Sequence, residues 1–291
     1  MAEFVAVTSI ADISIPMLKR YALLFSRIAV VGIQHVKENE ELARELKWLQ
    51  DQGVIFEPQY SDIRLLPDNS DFNHFLRLER EVMSQAAPHL LAAVETDRED
   101  EVRSLLLLMM DTTLRTVSVE LRELYQIEAC PLLNFDILSF SEPHGKKTQV
   151  VEIALKSLPV PDELTPWEQI LEYRSDPDSR HKFLDLRNWM SEVARGELTP
   201  TEIEEKIEHL VSQYQRHMNL HKMKANQGAL QSIVVSSAEF AENLIKIKWG
   251  QIAKNLFSLK QRKIALMEGE LTSVGSEVAY IVKARDTFSR V

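Results

Sequence analysis

Two histidines one helical turn apart, His217 and His221, have the spacing at which a pair of imidazoles can chelate a metal ion. The glutamate of the HExxH zinc-protease pattern is absent, no cysteine lies near, and no third ligand is identifiable. The plainer reading is two histidines at the border of an apolar stripe. A second group is the run Lys246, Lys248, Lys254, Lys260, Arg262 and Lys263, which contains no acid and has Trp249 and Phe257 interleaved. Cations and aromatics in that pattern suit a phosphate backbone or an anionic membrane surface. Their angular spread weighs the other way. Ile245, Trp249, Ile252, Leu256 and Leu259 make one narrow apolar stripe, and the cations occupy most of the remaining circumference, as on a solvated helix. A third group crowds Trp167, Glu168, Glu172, Tyr173, Arg174, Asp176, Arg180, Asp185, Arg187 and Trp189 into a short stretch. Acids and arginines so close can do acid–base work, yet each also fits capping, i,i+4 ion pairs or tryptophan packing.

Screens for nucleophiles and phosphate loops are empty. The chain has no GxxxxGK[ST], no GxGxxG after a strand and no GxSxG. Cys130, in an apolar setting before Pro131, reads as an inert core thiol. Pro161-Asp162 begins a nuclease-like pattern, but Glu45-Leu46-Lys47 and Glu204-Glu205-Lys206 fall on predicted helices. Acids at predicted strand ends, such as Asp62 and Asp136, leave a metal-dependent nuclease or hydrolase as an alternative. No cofactor is expected.

The elements that must position these groups follow from composition and periodicity. The 291 residues carry a net charge of −10, with few glycines (8) and prolines (11). Such a chain favours long regular elements and, on average, repels nucleic acid. One cysteine excludes an intrachain disulfide. The acidic start Met1–Phe4 lacks a secretory pattern, and the longest strongly apolar run, Leu105 to Met110, is far short of a membrane span. The cytoplasm is the expected location, with no transmembrane segment.

Strands are predicted at Phe4–Ile10, Arg27–Ile33 and Val54–Glu57, with helices at Met17–Phe25 and Glu40–Gln50 between them. That alternation predicts a small, mainly parallel sheet. Two long helices should follow: Asp71–Val94, interrupted near Pro88, and one from a capping box at Thr96–Glu99 to about Tyr125. Leu105–Met110 is apolar all round and should be the most buried helical segment of the first half. Pro131–Phe140 and Gln149–Leu155 read as extended, with Ser141–Thr148 as an exposed loop between them. Pro159 and Pro161 stiffen a linker, where the domain boundary is set.

Beyond it every signal is helical. Start devices stand at Thr165–Glu168, Ser175–Asp178 and Thr199–Glu202. Ile203, Ile207, Leu210, Val211, Tyr214 and Met218 fall on one stripe of the helix from Pro200, which Gly228 should break. Further helices are predicted at Leu230–Glu268 and Val278–Phe288. The fold class is therefore α+β and mostly helical: an α/β domain over residues 1–160 and a long-helix bundle over 161–291.

Five stretches carry a resemblance: Arg20–Val30, Trp48–Pro58, Leu158–Met190, Lys246–Leu266 and Glu277–Phe288. LPVPDELTPWEQILEYRSDP and EVAYIVKARDTF are the most specific pieces. They resemble a widespread family of uncharacterised bacterial proteins, which implies a bacterial homologue and, through mobile or defence loci, a role in antiphage defence. The reading that joins these points is a non-enzymatic interaction or regulatory protein. Its long amphipathic helices would bind a protein partner or self-associate into an oligomer.

Overall fold

The computed structural model describes residues 3–33, 40–58, 71–132, 146–237 and 273–289, without the side chains of 71–75 and 221–237. The chain divides into two compact units. One comprises Met1–Ser175 with Phe288–Val291, and the other Asp176–Thr287.

The first unit is built on four parallel strands, β1 (Phe4–Ser9), β2 (Arg27–Val31), β3 (Ile55–Phe56) and β4 (Glu128–Pro131), in the order β3-β2-β1-β4. Alternation of side chains sends the sheet's two faces to different partners. Val5, Val7 and Ala29 pack with Leu114, Val117 and Leu121 of one long helix. Phe4 lies on the other face, where its ring meets Phe25 at 4.6 Å between centroids. Helices α1 (Ile15–Leu24), with Pro16 in its first turn, and α2 (Glu40–Asp51) connect the first three strands. Gly53, at φ +69°, follows α2 in the left-handed conformation that ends helices.

Helices α3 (Asp71–Glu95) and α4 (Glu99–Tyr125) pack along each other. Pro88 does not split α3, which continues through it. The packing against α4 holds the turn that loses one backbone hydrogen bond. The capping box at Thr96–Glu99 is not formed. Arg98 is the N-cap residue of α4 and makes no side-chain cap bond, while the Thr96 hydroxyl donates back to the Ala92 carbonyl at 2.6 Å and so finishes α3. Asp97, at φ 55°, turns the chain between the two helices.

The expected burial of Leu105–Met110 is also corrected. Only Leu107 of that run is buried, and Leu106 and Leu108 are 49% and 46% exposed. Burial instead falls on residues 111–121, where α4 crosses the sheet. Gln149–Leu155 is helical rather than extended, within α5 (Lys146–Ser157), which takes in the last residues of the expected loop. Val150, Val151 and Ala154 share one helical face and are buried there, so tertiary packing overrides their β preference. Residues 133–145, with most of the predicted Pro131–Phe140 strand and the rest of the loop, lie outside the described residues.

Two cations of α1 hold the last turn of α5 and the end of the proline-rich stretch that follows it. Lys19 donates to the Glu163 carbonyl at 2.6 Å, and Arg20 donates to the Lys156 carbonyl. Helix α6 (Trp167–Ser175) follows, and Arg174 donates to the Ser26 carbonyl at 2.7 Å.

In the second unit, α7 (Pro177–Arg195) opens with Asp176 as N-cap, its carboxylate accepting from the Ser179 N–H at 2.9 Å. Helix α8 (Pro200–Ser237) opens with a formed capping box: the Thr199 N–H and hydroxyl both donate to Glu202. All six residues of its apolar stripe, Ile203 to Met218, are buried. Gly228 does not end α8; a single glycine costs about 1 kcal/mol there and is carried by the flanking turns. A 3-10 turn, Ser276–Val278, packs against α7 and α8 and leads into α9 (Ala279–Phe288). Tyr280 of α9 meets Phe183 of α7 with ring centroids 5.4 Å apart. No described helix is long and apolar enough to cross a membrane.

Candidate functional site

The strand order reverses direction beside β1. The chain steps from β1 to β2 to β3 on one side, and β4 then returns on the other. In open parallel sheets, ligands bind in the crevice outside the carboxyl ends of the strands near such a reversal. Here that edge carries a cavity of about 740 Å³. Met83 and Val94 of α3, Leu106, Met109 and Met110 of α4, and Val31 at the end of β2 form most of its apolar wall. Three methionines make that wall adaptable in shape. Ser9, at the end of β1, is part of the lining, and its hydroxyl accepts from the Ala11 N–H at 3.3 Å. Charged residues of the lining come in both signs, Asp97 and Glu99 against Arg98 and Arg103. Arg98 is already ion-paired with Glu101.

A buried polar group lies in the same unit. Thr8 near the end of β1 stands beside the Tyr21 phenol of α1, and both are fully buried. Burial pushes the phenol well above its ordinary range, the Asp12 carboxylate adds to the effect, and the Thr8 hydroxyl works the other way. On α4, Asp111 accepts from the Arg115 guanidinium at 2.9 Å through one carboxylate oxygen; the other is buried with no hydrogen-bond partner. Glu152 of α5 lies within electrostatic reach of both. Burial raises its carboxyl to about 7, with Lys156 and Arg115 opposing and Asp111 reinforcing. Cys130 of β4 is buried, and its thiol is pushed well above the usual range by burial first and by Glu152 second. This agrees with an inert core thiol.

The sequence-predicted groups are dispersed. His217 is half-buried on α8 next to Met218, and the His221 side chain lies outside the described residues. Among the described residues, no three His, Cys, Asp or Glu side chains gather where they could hold a metal ion. Lys246, Lys248, Lys254, Lys260, Arg262 and Lys263 lie outside the described residues, as do Asp62 and Asp136.

Three members of the crowded stretch from Trp167, namely Trp167, Arg174 and Asp176, carry structural duties. The Trp167 indole N–H donates to Glu45. Arg174 holds the Ser26 carbonyl. Asp176 caps α7, and with Asp178 it receives the Lys283 ammonium at 2.6 and 2.7 Å. Lys182 joins them by an ion pair to Asp178 at 2.6 Å. The Asp176 carboxyl is held at about 2 by the Lys283 hydrogen bond first and the Ser179 N–H second.

Neither the cavity nor the Asp111–Arg115–Glu152 group was anticipated from the sequence. The signal for the first was the all-round apolar run Leu105–Met110, which reads equally as core and as a wall facing a cleft. An acid at position 111, between that run and Leu114, was the signal for the second. Comparisons of the chain with protein families, with curated proteins and with solved structures give no match in any of the three.

Proposed function

We propose that the chain is a non-enzymatic regulatory protein whose first unit responds to a small, mostly apolar, uncharged ligand held in the α3–α4 cleft. The observation that carries this reading is the cavity itself, apolar-walled, about 740 Å³ in volume and set at the carboxyl edge of a parallel sheet. Ligand pockets are typically about 300–1,000 Å³, largely apolar, with a few polar groups to fix orientation. Charges of both signs around the lining disfavour a strongly charged ligand. The Thr113 hydroxyl of the lining donates to Glu79 at 2.8 Å, a bond that ties α4 to α3 across the cleft. The resemblance to uncharacterised bacterial proteins, a kind often found in mobile or defence loci, would set the regulatory role in antiphage defence, and the genes beside its own would decide it.

The test is titration with an apolar fluorescent probe, N-phenyl-1-naphthylamine. Saturable one-to-one binding is expected, weakened roughly tenfold or more by Leu106→Glu, which places on the wall a carboxylate that a bound apolar probe would have to strip of water. Leu106 is half-exposed, so the fold should tolerate the change. Absence of saturable binding, or binding indifferent to Leu106→Glu, would refute the reading. A second reading puts a protein partner on the same helices, because Leu91 of α3 is 66% exposed and continues the apolar surface near Val94. Light scattering and pull-down from the native host test it; a strict monomer with no partner counts against it.

A further inference from the structure

Trp48 on α2 and Trp167 at the start of α6 line a second, open cavity of about 460 Å³, together with Glu41, Glu45, Glu168 and Arg44. We infer that this cavity receives a fully methylated ammonium group, either free as in choline or carried on a methylated lysine side chain. The site lies apart from the α3–α4 cleft and does not depend on the reading given to that cleft.

Three features point to this chemistry. The first is the pairing of indoles with acids. A tryptophan face attracts a cation within about 6 Å of its centroid, and such walls are the usual receptors for quaternary ammonium ions. Lys19 already uses Trp167 in this way, its ammonium lying 5.7 Å from the ring centroid. Half-buried Trp48 gives the cavity a wall that a ligand can reach.

The second is charge. Three glutamates stand against Arg44 of the lining and Lys19 over the Trp167 ring, which is within electrostatic reach of Glu45, so the acids keep an excess of one charge. The field in the cavity therefore favours a positive guest.

The third is the placement of acceptors, which selects methylated over bare ammonium. Glu41 and Glu168 are exposed and stand in water. Glu45 is engaged by the Trp167 indole N–H, a bond that also fixes the plane of the ring. An ion pair with carboxylates as well hydrated as those of Glu41 and Glu168 gives a primary ammonium little in return for the water it sheds. A quaternary ammonium holds its water weakly and presents methyl groups to the indoles.

Calorimetric titration of the full chain with choline chloride tests this, with a trimethyllysine peptide as a second arm to separate a free ligand from a protein-borne one. The neutral isostere 3,3-dimethyl-1-butanol is the control, having the same shape without the charge. Saturable binding of at least one cation is expected, with the isostere weaker by on the order of tenfold. Trp48→Leu should weaken the cation by a similar factor, and the exposed-site variants Glu41→Gln and Glu168→Gln by roughly threefold each. Leu106→Glu, in the other cleft, should leave choline binding unchanged. If Trp48→Leu shifts the melting curve, Trp48→Phe replaces it, and an intermediate affinity is expected. The inference is overturned by no saturable binding of either cation up to about 50 mM. Equal binding of the neutral isostere, or tryptophan and glutamate variants that bind as the parent does, would overturn it too.

Discussion

Replacing Gly275 by alanine should be among the most damaging small changes this chain can suffer. Gly275 sits at φ +89° just before the 3-10 turn that packs on α7 and α8. A methyl group there would lie 2.5 Å from the Leu210 carbonyl oxygen and 3.2 Å from the Tyr214 Cβ. Left-handed backbone costs a residue with a Cβ about 1–2 kcal/mol. Relieving the overlap must move α8 backbone, and forced overpacking of that kind costs roughly 1–3 kcal/mol. Together, less the roughly 0.4–1 kcal/mol that any Gly→Ala change gains from a stiffer unfolded chain, these predict a loss of about 1–4.5 kcal/mol, of which the overlap makes up about 1–3.

Gly53 supplies the control. It too is left-handed, at φ +69°, but an added Cβ would meet nothing within 4 Å. Gly53→Ala should therefore carry only the backbone cost, about 1 kcal/mol once the reduced freedom of the unfolded chain is credited. Urea unfolding followed by circular dichroism and tryptophan fluorescence measures both variants. If the two losses agree within about 0.5 kcal/mol, the close approach of the turn to α8 does not exist, and the packing described for the second unit is wrong.

Ile207, fully buried in the α8 stripe, should cost about 2–5 kcal/mol as alanine, read from the same urea curves; a loss near zero would mean the stripe is not a core. Glu152 should impose a pH dependence on the first unit. Its folded carboxyl stands near 7 against an ordinary 4.5, so folding favours the protonated form. Below pH 4.5 that preference has no effect, and stability falls as pH rises from there through about 7. Glu152→Gln should flatten this slope by up to about 2 kcal/mol, allowing for partial solvation, and urea midpoints unchanged across that window would contradict it. Asp176 works in the opposite sense. Held at about 2 against an ordinary 3.8, its carboxylate contributes stability above that range and loses it as pH falls from 3.8 through 2. Asp176→Asn, which keeps a cap, should remove the acid-side loss while costing less at neutral pH than Asp176→Ala, for which a lost cap alone is about 1 kcal/mol. Equal costs for the two would contradict the cap.

The helical class and the parallel sheet were legible because their signals are local. Arg27–Val31 is short, apolar and β-branched, Asp176-Pro177 opens a helix by its own chemistry, and the 3.6-residue spacing from Ile203 to Met218 needs no knowledge of the partner surface. What was misread depends on neighbours. Gln149–Leu155 is rich in Val and Ile, so it reads as a strand until burial of Val150, Val151 and Ala154 on one face decides for helix. Leu105–Met110 reads as core because hydropathy alone does not distinguish a buried face from the wall of a cleft. The Thr96 capping box failed because a threonine hydroxyl finishes one helix as readily as it starts the next, and here the Ala92 carbonyl took it. The two cavities were invisible for a simpler reason. Trp48 and Trp167 are far apart in sequence, as are Val31 and Met110, and no motif spacing records their meeting.

Cys130 has a practical consequence of its own. Alkylating reagents and peroxides act on the thiolate, and this thiol is both shielded by β4 and its neighbours and held in the protonated form. The native chain should therefore be silent toward maleimides. One cysteine added at an open position such as Leu164 would be the sole point of attachment for a dye or spin label, with no background from the parent sequence to subtract.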